Sequence, residues 1–101
     1  MERMSADRFE CLNKALDVVG VRNDNYGGPS ENFERIAALW NTTPYMRDKP
    51  IDSAGVAVFM ILVKVARLMH DPTHADSWVD IAGYAGCGYE VTLCNTSTFS
   101  V

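Results

Sequence analysis

No run of lysine or arginine, no paired C-x-x-C and no glycine-rich phosphate loop occurs in this chain of 101 residues. The missing basic run, with a net charge of −4, leaves no face for non-specific binding to nucleic acid. The cysteines, Cys11, Cys87 and Cys94, are odd in number and widely spaced, which argues against a disulfide framework or a zinc site and for reduced thiols. Neither G-x-x-x-x-G-K-[ST] nor G-x-G-x-x-G is present, and nothing resembles a serine or cysteine nucleophile elbow. The N-terminal stretch Met1-Glu-Arg-Met-Ser-Ala-Asp-Arg8 lacks the apolar segment of a secretory leader, so a cytoplasmic protein is expected. The longest apolar run, Ala54 to Val63, is half the ~20 residues that a bilayer span takes, and it reads as a buried helix with no membrane role.

What is present is a globular composition, 48% hydrophobic and 22% charged. A single helical domain over residues 1–94 is expected, followed by a flexible tail over 95–101. Ser5 can cap a first helix whose Phe9, Leu12, Leu16 and Val19 form one apolar stripe, with Gly20 as its stop. Residues 20–30 are rich in turn formers and read as a loop. Ser30 then caps a second helix, which turns Phe33, Ile36, Ala37 and Trp40 to the core. After a loop over 41–51, Asp52 or Ser53 caps a third helix that runs to about Met69. It is apolar almost all round, more than so short a domain buries alone, so an oligomer is expected. The last helix is expected over about 73–93. Gly83, Gly86 and Gly88 within it predict close approach of a neighbouring helix.

The chemistry-bearing residues gather on these helices. Asp76, Asp80 and Tyr84 recur every fourth residue on the last helix, Glu31 and Glu34 share a face of the second, and Lys64 and Arg67 interrupt the apolar third. Carboxylates are hard ligands that suit Mg²⁺, so Glu31, Glu34, Asp76 and Asp80 are the candidate metal ligands. Lys64 and Arg67 are candidates for holding phosphate oxygens, or else ion-pair partners of Asp76 and Asp80. Glu34 and Asp80 are the candidate catalytic residues, one of them orienting a metal-bound water towards phosphorus. Tyr26, Asn32 and Tyr84 are the candidate nucleotide contacts. For Tyr26 the plain alternative is covering the helix ends.

The segments Asn25-Tyr-Gly-Gly-Pro-Ser-Glu-Asn-Phe-Glu-Arg-Ile-Ala-Ala-Leu-Trp40, Phe59-Met-Ile-Leu-Val-Lys-Val-Ala-Arg-Leu68 and His74-Ala-Asp-Ser-Trp-Val-Asp-Ile-Ala-Gly-Tyr-Ala85 resemble the DUF6378 family of small, mostly phage-encoded proteins. More distantly, the order of motifs is similar to the MazG-like all-α nucleoside triphosphate pyrophosphohydrolases. That second resemblance implies an all-α, four-helix bundle-like domain, a dimer or tetramer, and Mg²⁺ held by E-E-x-x-E and E-x-x-D. Here Glu31 and Glu34 lack the doubled first acid, and Asp76 and Asp80 are spaced by four where the pattern uses three. Two functions stay open. One is a Mg²⁺-dependent pyrophosphohydrolase acting on a nucleotide. The other is a non-catalytic phage protein in the host cytoplasm, which sequesters a nucleotide signal or inhibits a host protein. A helical oligomer without a ligand is the blandest case.

Overall fold

The computed structural model describes residues 7–99, without the side chains of 22–26 and 94–99. The described residues form four helices and no strand: α1 (Arg8–Tyr26), α2 (Pro29–Trp40), α3 (Ser53–His70) and α4 (Ala75–Phe99). The all-α class expected from periodicity is therefore the observed one. α4 is the spine, packing on α1, α2 and α3, while α1 packs chiefly on α4. The core lies where α2, α3 and α4 meet and is built from Phe33, Ala37, Val56, Ala57 and Val91.

Each helix end has a local cause. Asp52 is the N-cap of α3, its carboxylate accepting from Gly55 N at 2.9 Å. At the end of α2 the hydroxyls of Thr42 and Thr43 donate to the carbonyls of Leu39 and Trp40, which also accept the N–H groups of the same two threonines in a tightened last turn. Asn41 then closes the following loop as a backbone mimic. Its Nδ2 donates to Ile51 O and its Oδ1 accepts from Ile51 N, both at 2.9 Å. At the α3–α4 elbow Asp71 accepts from the hydroxyl and the N–H of Thr73, and these two bonds hold its carboxyl below its usual range.

Four expectations need correction. Gly20 does not stop the first helix, which continues to Tyr26, so the predicted loop over 20–30 shrinks to Gly27 and Gly28. Asn and Asp are only weakly unfavourable inside a helix, and Gly20 meets no neighbour there. The cap of α2 is Gly28 instead of Ser30, because Pro29 already has the backbone angle of a first helical residue. Gly27 has φ 83, a conformation that glycine takes at no steric cost.

The stripe of Phe9, Leu12 and Leu16 is exposed, and α1 instead turns Cys11, Ala15 and Val18 inward. α3 is not enclosed by its own chain: Val56, Ala57 and Leu68 are buried, while Val58, Phe59, Leu62, Val63 and Met69 are exposed. By length and composition this helix is also long and apolar enough to cross a membrane. The expected tail over 95–101 falls on residues whose side chains, and for 100 and 101 the backbone too, lie outside the described residues.

The glycines of α4 separate into two kinds. A Cβ on Gly83 would lie 3.5 Å from Val19 Cγ2, and one on Gly88 3.1 Å from Ala57 Cβ, so both mark close approach of a neighbouring helix. Gly86 faces open space, as Gly20 does on α1. Gly20→Ala and Gly86→Ala are therefore each expected to raise the unfolding free energy by about 0.5–1 kcal/mol, and Gly88→Ala to lose that gain to crowding. Urea denaturation of the three variants checks the contrast.

Candidate ligand cavity and the Lys64–Asp80 pair

The acid row of α4 divides along its length. Asp76 is exposed in the first turn, while one turn on Asp80 is half-buried and binds Lys64, with Nζ 3.1 Å from Oδ2. The two side chains are 14% and 22% exposed, so the pair is screened from most of the solvent. Of the two partners open to Lys64, carboxylate or phosphate, the folded chain supplies the carboxylate. Arg67, one turn further along α3, is exposed and makes no ion pair among the described residues. Tyr84 faces inward, its ring 6.4 Å from that of Phe33.

The acids of α2 stand apart from those of α4. Phe33 and Ala37 occupy its inner face, which leaves Glu31 and Glu34 exposed on the outer one. The carboxylate of Glu31 turns back towards Gly27, where an added Cβ would lie 2.7 Å from Oε1. An acid in a first turn is well placed against the positive end of the helix. Among the described residues no three Asp, Glu, His or Cys side chains come close enough to hold a metal ion. The expected set of Glu31, Glu34, Asp76 and Asp80 is thus not gathered at one point: Glu31 and Glu34 are exposed on α2, Asp76 is exposed on α4, and Asp80 is held by Lys64.

What does come together is a cavity of about 360 Å³ between α1, α2 and α4. Leu16, Val19 and Phe33 make its apolar wall, Tyr84 adds an aromatic face, and Asn32 and Glu90 add polar groups. A small adjoining space shares Val19, Tyr84 and Cys87 and reaches Asp80. The volume is that of a small-molecule site, for which roughly 300–1,000 Å³ is usual. Asn32 and Tyr84, both expected as nucleotide contacts, share this cavity. The side chain of Tyr26 lies outside the described residues. Glu90 was missed by sequence reasoning, although it continues the row of Tyr84 and Cys87 by one more step of three. Cys11 and Cys87 are thiols with no disulfide among the described residues.

The family profile described as "Domain of unknown function (DUF6378)" matches residues 10–92. The "Gene 55 protein" of Mycobacterium phage L5 is 51% identical over 79 residues, which cover 77% of this chain and 49% of that protein. The "Gene 55 protein" of Mycobacterium phage D29 is 50% identical over 70 residues, 69% of this chain and 44% of that protein. The chain spans about half the length of the curated relatives it matches. No solved structure matches it.

Proposed function

We propose, for a chain that belongs to the DUF6378 family with bacteriophage relatives, that the α1–α2–α4 cavity binds a nucleotide through its base and does not hydrolyse it. The observation that carries this reading is the meeting of Asn32, Phe33, Tyr84 and Glu90 around one small-molecule-sized space. The Tyr84 ring, tilted 35° from that of Phe33, offers an aromatic face for a planar ring. The Asn32 amide both donates and accepts, and the Glu90 carboxylate accepts from an amino or ring N–H group. That set is complementary to the hydrogen-bonding edge of a nucleobase.

The phosphate end of the ligand competes with Asp80 for Lys64. Release of pyrophosphate by the MazG-like route needs Mg²⁺ held by gathered acids at about 2 Å from the ion. Glu31 and Glu34 on one outer face and Asp80 on Lys64 do not make that arrangement. Binding without turnover is therefore favoured over hydrolysis. The activity that follows is sequestration of a nucleotide in the host cytoplasm, as a counter-defence or host-takeover protein would use it.

Calorimetric titration with a panel of nucleoside mono- and triphosphates tests this. Saturable binding by at least one base is expected, weakened about tenfold by Asn32→Ala through the loss of roughly 1.4 kcal/mol. Incubation with the same triphosphates and Mg²⁺ is expected to release no pyrophosphate. Absence of saturable binding across the panel sinks the reading, and pyrophosphate release replaces it with the hydrolase.

A further inference from the structure

We infer that α3 of one copy packs antiparallel on α3 of a second copy, across the face that carries Val58, Phe59, Leu62, Val63, Ala66 and Met69. This face is separate from the ligand cavity, whose walls come from α1, α2 and α4, so the inference goes beyond the nucleotide reading. At 3.6 residues per turn the six fall on one side of the helix, opposite Ala57, Lys64 and Leu68. All six are exposed, Leu62 by 54% and Met69 by 82%. A single exposed leucine is ordinary, but a continuous apolar helix face is not. The exposed apolar area is on the order of 500 Å², as large as the largest patch on a typical monomer. Trp40 of α2, stacked on Phe59 at 6.3 Å between ring centroids, widens it towards the roughly 800 Å² that a stable interface takes from each partner.

The charges at the ends of this face select a second copy as the occupant. The acid Asp52 stands at its N-terminal end, and Arg67 and His70 at its C-terminal end. A two-fold axis through Leu62 brings Asp52 of each copy to the Arg67–His70 end of the other and sets the two helix dipoles against each other. The same axis places Val58 of one copy against Ala66 of the other, a larger side chain against a small one, which lets the helices approach. The face is thus complementary to itself in charge and in shape. Lipid is the competing occupant, given the length and apolar composition of α3.

Light scattering coupled to size exclusion, together with vesicle flotation, decides between these. The wild-type chain is expected at twice its mass of 11.2 kDa when loaded at about 100 µM. Leu62→Glu is expected at the monomer mass with an unchanged helical circular dichroism spectrum, whereas Leu12→Glu on the exposed side of α1 stays dimeric. Arg67→Glu is expected to weaken the dimer about tenfold, by placing two acids together at each end. Should Leu62→Glu fail to fold, Ala66→Arg on the same exposed face serves in its place. A monomeric wild-type chain, a dimeric Leu62→Glu or Ala66→Arg, or flotation with phosphatidylcholine–phosphatidylglycerol vesicles overturns the inference.

Discussion

Phe33→Ala is expected to lower the unfolding free energy by about 3–5 kcal/mol, the usual cost of truncating a buried phenylalanine. Phe33 is 4% exposed and packs with Ala37, Val56, Ala57 and Val91, where three of the four helices meet. Its ring also lies 6.4 Å from that of Tyr84, so truncation removes an aromatic contact as well as buried area. The methyl group left behind cannot fill the space. The cavity beside it grows, because Phe33 is part of that wall. Domains of this size have a total stability of about 5–15 kcal/mol, so the variant approaches the threshold of folding. Urea denaturation measures the loss, and a value below about 1 kcal/mol would show that Phe33 is not the centre of the core.

Asp80→Ala is the second large effect. The Lys64–Asp80 pair lies between the exposed pairs that contribute at most about 1 kcal/mol and the fully buried ones whose breakage costs about 3–5 kcal/mol. With Lys64 only 14% exposed, removal of Asp80 leaves a cation with little water around it. A loss of about 2 kcal/mol is expected. Lys64→Met in the same background should recover part of it, because the stranded charge is then gone and the methionine stem fills the space of the lysine stem. A double-mutant cycle in urea reads the coupling directly. If Asp80 served chiefly as a metal ligand, the cycle would show little coupling and the wild-type melting temperature would rise in Mg²⁺. The expectation is strong coupling and a melt indifferent to Mg²⁺.

Much of the fold was legible because its signals are local. The cap at Asp52, the apolar spacing of Phe33, Ala37 and Trp40, and the glycines of α4 at Val19 and Ala57 all require knowledge of a few neighbouring residues only. The inward side of α1 was not legible. Phe9, Leu12 and Leu16 make as good a helical stripe as Cys11, Ala15 and Val18, and the choice between them depends on the partner. Small residues on α4 accept the smaller set. That α3 would keep an apolar side uncovered was legible, but which side was not, since a composition apolar all round says nothing about which face its own chain covers.

The candidate site was legible in pairs but not as a set. Asp80 could be matched to Lys64 because helices joined by the short elbow at 71–74 run antiparallel side by side. Whether Glu31 and Glu34 join them depends on the rotation of α2 about its own axis. That rotation is set by Phe33 and Ala37 filling the core, and it carries the acids outward. Asn32, next to Phe33, is carried the other way, to the rim of the cavity.

On the proposed nucleotide reading, the two-glycine joint between α1 and α2 bears on how the ligand would reach its place. Among the described residues of α1 only Ala15 is buried, so this helix has little fully buried apolar area to lose on leaving α4. Swinging it about Gly27 and Gly28 opens one wall of the cavity and leaves Phe33, Val56 and Val91 packed. Entry is then a local fluctuation of one helix, far cheaper than global unfolding. A bound ligand adds its binding free energy to the closed form alone, so occupancy and the hydrogen-exchange protection of α1 amides rise together.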